Sequence, residues 1–371
     1  MSQQQPDPEH VFNDDLLLNP GDLAYAKKRF PKILHVLDFP TLKAKFRDYD
    51  EEAGRSRDKL RRLGSTVILA GAISLIAVAT KPVWPNEPAL HWLALALELG
   101  GLLAAIAAAG GFLLGPWKNR WLEKRLMTER MRQWHFQLLL NRGKEIENSC
   151  QSSAAQAEFE RNREQWFADF LQSYQGHLDG KLSELLSGPT LAKPWLHTET
   201  QYSPGPIFHT VCDAYRQLRF EHQAGYAAYK LKDETRKPVW NFLSWPARLQ
   251  LRIFSGCGAI CFFAAIACSL VLIYGHTFHL PPQIHSNVGI SAIVVALIGA
   301  ALHSMQEGLG LERDIERYYD YQCRVVQLTA RFQASAGNNE KIHLMQDLEM
   351  TSVEELIGFL RTHKHARFLF G

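Results

Sequence analysis

Four apolar runs decide what this chain can fold into: roughly Leu63–Thr80, Leu90–Leu114, Ile253–Tyr274 and Val288–Leu302. A helix rises ~1.5 Å per residue and the hydrocarbon core of a bilayer is ~30 Å thick, so a crossing needs about 20 apolar residues. The second and third runs reach that length unaided. The first and fourth are completed by small or weakly polar neighbours, such as Ser304 and Met305. Spans are expected at about 63–80, 92–115, 253–274 and 287–305. No other segment alternates polar and apolar residues over a convincing strand length. The expected fold is all-α: a polytopic membrane protein with four transmembrane helices in two hairpins, plus cytosolic helices.

The flanks orient the spans. Arg55, Arg57, Lys59, Arg61 and Arg62 precede the first, and Lys118, Arg120, Lys124, Arg125, Arg130 and Arg132 follow the second. Between them, KPVWPNEPALHW has Lys81 alone, and the loop GHTFHLPPQIHS between spans three and four has no Lys or Arg. Basic residues collect on the cytosolic side. This bias predicts both termini and the long middle segment in the cytosol, with two short outside loops. The first apolar run starts only at Leu63, so no secretory signal peptide is expected. The whole-chain net charge of +3 adds little to this.

One layout recurs. A polar helical lead-in enters two spans, and a charged, aromatic helix leaves them. The first exit helix ends in Trp134-His135-Phe136-Gln137 and the second in Tyr319-Asp320-Tyr321-Gln322. Trp134, Phe136, Tyr319 and Tyr321 are therefore candidate functional aromatics. The expected organisation is a disordered N-terminus over 1–20 and a first unit over 21–148. A cytosolic helix with a Pro-rich connector follows over 149–206, then a second unit over 207–336 and a C-terminal cytosolic helix over 337–371. Within the connector region an apolar stripe runs through Phe159, Trp166, Phe170 and Tyr174.

Glu98 is the one acid inside an apolar run. Begun at Leu90, the second span places it deep in hydrocarbon, where an acid lines water or pairs with a partner. Ended at Trp117, a span of about 20 residues places it at the outer boundary. Both registers remain open. Gly100, Gly101, Ala105, Gly110 and Gly256 form small-residue ridges suited to close helix packing, within one chain or between copies. Trp117, Lys118, Arg120, Trp121, Lys124 and Arg125 form a basic aromatic face suited to lipid headgroups or to a partner. That charge hugs the membrane, which argues against direct nucleic-acid binding. The outer histidines (His91, His276, His279, His285) have no carboxylate in ligand spacing, and no zinc-spaced Cys/His cluster is present, so no metal is expected. Nor is a catalytic residue or a cofactor. There is no phosphate-cradling Gly loop, no Gly-x-Ser-x-Gly elbow, no His-Glu-x-x-His and no kinase set.

FRDYDEEAGRSRDKLRRLGSTVILAGAISLIAV with WLEKRLMTERMRQWHF, and RFEHQAGYAAYKLKD with LERDIERYYDYQ, resemble the SLATT-type membrane modules of bacterial conflict systems, here duplicated. The first half carries the Trp-Arg-Glu spacing of the exit helix at Trp121, Arg125 and Glu129. The second has Gln306, Gly310 and Asp314 there. The resemblance implies a membrane-perturbing effector of an antiviral, abortive-infection-like defence in the bacterial inner membrane. Its trigger would be a separate cytosolic sensor or signal-producing protein. Four helices with one internal acid cannot enclose a polar channel alone, so a pore needs a homo-oligomer. The alternative is a membrane-anchored scaffold or sensor. A channel or transporter is disfavoured by the scarcity of intramembrane polar groups.

Overall fold

The structure, a computed structural model, describes residues 13–83, 87–174, 205–234, 242–243, 245–277 and 281–365. Among these residues every regular element is a helix. Before the first span lie α1 (Pro20–Arg29), a 3-10 turn (Pro31–Ile33) and the short α2 (Leu34–Leu37). Asn19 caps α1 by accepting from the Gly21 N–H at 2.9 Å, and Pro20 fills the first helical position. There its missing N–H costs nothing. Helix α3 (Pro40–Thr80) carries the lead-in and the first apolar run in one unbroken rod of 41 residues. Then come α4 (Pro88–Leu114), α5 (Trp117–Asn141), α6 (Gly143–Ser149) and α7 (Ser153–Tyr174).

The second half differs from the first. Its lead-in is α8 (Phe208–Tyr215), a π-helical turn (Arg216–Glu221) and α9 (His222–Lys230). It ends well before the third span, α10 (Ala247–Thr277). The fourth span is α11 (Pro282–Leu309), and α12 (Leu311–Ala334) and α13 (Asn338–His365) complete the chain. Gly310 adopts φ 65°, and its N–H reaches back to the carbonyls of Gln306 and Glu307. That left-handed cap is cheap only for glycine, and it lets α12 restart at once. Helices α3, α4, α10 and α11 are long and apolar enough to cross a membrane, so the chain is a multi-pass membrane protein.

The chain forms two compact units, and they are not its two halves. The first, here the core unit, comprises Met1–Ala53, Leu122–Tyr229 and Arg317–Arg361. The second, the span unit, comprises Gly54–Trp121, Lys230–Glu316 and Thr362–Gly371. Each compact unit draws on both of the successive units read from the sequence. Helical lead-ins and exits from both halves have apolar stripes of their own, and these collect in one core.

That core includes Phe30, Phe39, Phe136, Phe167, Tyr215, Phe220 and Phe332, all 3% exposed or less. The connector stripe joins it: Phe159 is buried and Trp166 packs edge-on against it at 6.1 Å. The C-terminal helix supplies Leu344, Met345 and Leu348. Residues 13–19, expected within a disordered tail, are also built in: Leu16 and Leu17 are 1% and 2% exposed. The Asp14 carboxylate accepts from the N–H groups of Leu16, Leu18 and Asn19 at 2.7–3.0 Å, and Asp22 accepts from Asn13 at 2.9 Å. Those bonds satisfy the backbone of a loop that has no helix to do so. The rest of the expected N-terminal tail (1–12) and of the connector (175–204) lies outside the described residues.

The span unit has a small core of Ile68, Ala72, Phe254, Ala301, Met305, Leu309 and Leu311. Many of its other large apolar side chains face outward. Leu113 is 71% exposed, Ile260 70% and Phe263 68%. An apolar surface this extensive belongs in lipid.

Candidate functional site

Glu98 is not an unpartnered acid. Its carboxylate pairs with the Lys81 ammonium, the one Lys or Arg in the sequence between α3 and α4. The Ser74 hydroxyl donates to the Glu98 backbone carbonyl at 2.9 Å. Ser74 lies six residues before the end of α3, so Glu98 sits roughly 9 Å inside that end at ~1.5 Å per residue. Lys81 reaches back along its own stem to meet it, as long cationic side chains do near a membrane boundary. The pair is partly exposed on both sides, at 26% each. An acid at this depth is expensive alone and much cheaper with a cation beside it.

The small residues divide by face. A Cβ on Gly101 would lie 2.7 Å from the Ala70 carbonyl and 3.1 Å from Ser74 Cβ. That glycine therefore sets the close approach of α3 and α4. Ala94 and Ala108 are buried along the same helix, and Ala105 is half-buried. Gly100, Gly110 and Gly256 have nothing within 4 Å of the place a Cβ would occupy, so they pack against nothing in their own unit.

The basic aromatic face is largely committed within the chain. The Lys59 ammonium sits 3.7 Å from the centre of the Trp117 ring. Lys118 donates to the Lys364 carbonyl at 2.6 Å. Trp121 is buried and meets the His363 ring edge at 4.9 Å. His363 in turn bonds Asp314 at 3.1 Å. Lys124 pairs with Glu52 at 2.8 Å and covers the Tyr49 ring, while Arg125 pairs with Glu129 at 2.5 Å. Arg120 is exposed beside Trp117. Such cation–π and ion-pair contacts fix the helix entry and leave less free charge for lipid than the sequence suggests.

The exit-helix aromatics are not equivalent in the two halves. Trp134 sits among Phe39, Phe167 and Phe170, with centroids 5.0–6.0 Å away. Phe136 is fully buried against the Tyr215 ring edge at 5.5 Å. Tyr321 is buried too, but Tyr319 is 59% exposed.

Sequence reasoning missed the most polar feature of the core unit, a buried chain of charges. Asp15 Oδ1 accepts from Arg132 at 2.9 Å, and Asp15 Oδ2 accepts from Arg219 at 3.2 Å. Arg219 also donates to both oxygens of Glu349, at 2.8 and 3.1 Å. Asp15, Arg219 and Glu349 are 1% exposed or less. Arg132 continues the chain to Glu129 at 2.6 Å, and Glu129 continues it to Arg125. The Tyr215 hydroxyl donates to Glu349 at 2.7 Å. The Tyr321 hydroxyl donates to Gln223 at 3.0 Å, and Gln223 donates to Asp15 at 3.1 Å. Arg219 stands on the π-helical turn, a local widening that often marks a functional position.

Burial pushes Asp15 upward, yet Arg132, His222 and Arg219 outweigh it and hold the carboxyl well below the usual range. Glu129 behaves alike: burial raises it, and Arg125 and Arg132 bring it down to about 2. Burial pushes the Tyr215 hydroxyl well up, and Glu349 adds to that. Burial and the nearby Arg163 charge bring His135 down to about 3, so it stays neutral. A carboxylate locked ionised between guanidiniums makes a poor acid or base and a strong positional clamp. No single motif announces this network. Its members come from five separated segments, and an Asp four residues before a helix cap reads as surface until the fold buries it.

Among the described residues no group of three or more His, Cys, Asp or Glu side chains could hold a metal ion. His279 lies outside those residues. Comparison with protein-family models, curated proteins and solved structures finds no match.

Proposed function

We propose that the protein is a membrane effector of a bacterial defence system. In this reading it sits in the inner membrane with both termini cytosolic and assembles with its own copies. It then permeabilises or depolarises the membrane when a separate cytosolic protein or signal acts on the core unit. One observation carries the reading. In the most apolar window of each crossing helix, α10 has none of its residues buried within the chain, α4 and α11 have 11%, and α3 has 39%. Three of the four spans thus bury few of their residues within the chain and leave much of their surface to lipid or to other copies, and the open glycines Gly100, Gly110 and Gly256 add flat contact area. The distribution of basic residues supports the orientation. The resemblance to SLATT-type modules supplies the defence setting.

A second reading, a membrane-anchored scaffold, is favoured by the Lys81–Glu98 pair. A carboxylate neutralised inside its own hairpin is a weak candidate for lining an ion path. Membrane potential after inducing the chain alone in a bacterium separates the two. High expression drives assembly by mass action. The effector reading expects depolarisation by the wild type and also by Glu98→Ala. Well-inserted protein that leaves the potential unchanged at every expression level would favour the scaffold.

A further inference from the structure

Helices α10 and α11 enclose a groove of about 450 Å³ on their outer side. Small residues line it, Gly258, Cys261 and Ala265 from α10 with Ala296 and Gly299 from α11, and Phe254 and Phe262 line it too. Gly299 packs against Cys261, where a Cβ would lie 3.3 Å from Cys261 Cβ. That contact sets the register, so Ser255 lies within one residue of the level of Gln306, and Ala265 lies level with Val295. From Val295 to Gln306 the groove covers roughly 16 Å of helix at ~1.5 Å per residue, close to half of a ~30 Å hydrocarbon core. It therefore spans one leaflet, the one at the Ala247 end of α10.

The two ends differ in chemistry. The deep end is apolar. The end at the leaflet surface carries Ser255, His303 and Gln306, and His303 is exposed. Arg252 stands one turn before Ser255 on the same ridge of α10. It is exposed and has no ion-pair partner among the described residues. Acids flank the same mouth: Glu307, half-exposed with Arg313 4.0 Å away, follows Gln306, and Glu312 accepts from the Gln306 amide at 2.9 Å. A slot one leaflet long, with a cation and adjacent acids at its mouth, fits an amphiphile carrying both charges.

We infer that this groove binds one zwitterionic phospholipid with a free amine, of the phosphatidylethanolamine class. An acyl chain lies on Gly258, Cys261 and Ala265. The phosphate meets Arg252 and His303, and the ammonium faces Glu307 and Glu312. Phosphatidylglycerol carries a neutral glycerol in place of the ammonium, so it gains no attraction from those acids and binds less well.

Two open glycines make a clean test. Gly256 and Gly258 both have nothing within 4 Å of a Cβ position, but only Gly258 lines the groove. Two residues along a helix place them on different faces. The full-length protein, purified in mild detergent and stripped of lipid, is offered equal phosphatidylethanolamine and phosphatidylglycerol. Retained lipid is then counted by native mass spectrometry. Wild type and Gly256→Leu should each retain one phosphatidylethanolamine. Gly258→Leu should lose it about tenfold or more, and Arg252→Ala about tenfold through the lost charge-assisted bond. Equal retention by Gly258→Leu and wild type overturns the site. So does an oligomer that dissociates only in Gly258→Leu while no lipid is retained, which would assign the groove to a second copy. Preference for phosphatidylglycerol overturns the headgroup assignment.

Discussion

Phe136 and Phe263 are the same residue in opposite circumstances. Phe136 is fully buried in the core unit, against Tyr215 and beneath the Arg219 guanidinium, 4.9 Å from its ring centre. Phe263 is 68% exposed on α10. The contrast holds across the two units. The core unit surrounds its charges with apolar side chains, so Asp15, Arg219 and Glu349 lose water and must satisfy one another. The span unit turns many of its apolar side chains outward and holds the Lys81–Glu98 pair where α3 meets its loop to α4. The first unit completes its interior with its own residues. The second leaves the solvation of most of its surface to the bilayer, so its stability is partly a property of the lipid around it.

The comparison can be broken most forcefully at Arg219. Arg219→Met leaves Asp15 and Glu349 buried without their shared cation, and removing one partner of a buried pair costs ~3–5 kcal/mol. The purified protein should melt far lower or fail to accumulate. Replacing Arg219 and Glu349 together by Met should recover part of that loss. A single variant with wild-type melting would mean the network is solvated. Phe136→Ala belongs to the same tier, at ~3–5 kcal/mol for a buried aromatic.

Acid should discriminate next. His135 stays neutral in the fold, brought from 6.5 to about 3. The unfolded chain therefore binds its proton first, and stability present above pH 6.5 declines as pH falls below it. Glu129, brought from 4.5 to about 2, and Asp15, also depressed, add a steeper loss below pH 4.5. Melting temperature followed against pH should show both phases, and His135→Gln should flatten the upper one. A curve flat from pH 7 to pH 4 would contradict the burial of His135.

The smallest effect is expected on the span surface. Phe263→Ala should move detergent-solubilised stability by less than about 0.5 kcal/mol, as substitutions at exposed positions usually do. A loss approaching that of Phe136→Ala would show that α10 is covered, by a copy or by tightly held lipid.

Patterns along the chain made part of this legible. The four spans are long runs with a fixed length requirement, so they survive any tertiary arrangement. Gly101 was recognisable as a packing residue, but its face was not. Gly100 beside it is open, because a turn of 100° separates neighbours on a helix. Glu98 was conspicuous and Lys81 was on view beside it, yet their pairing needs the hairpin to bring them together across a loop. Asp15, Arg219 and Glu349 gave no signal, since a charged residue in a polar stretch is ordinarily at the surface.

By itself the sequence determined that this protein is helical and crosses a membrane four times, because hydrophobic length and backbone hydrogen bonding are local requirements. Only the tertiary structure decided that the two halves share one core, that Leu16 and Leu17 belong inside it, and that its charges meet in one chain. Burial and pairing are relations between distant segments, set when the apolar stripes of α5, α8, α12 and α13 close on one another.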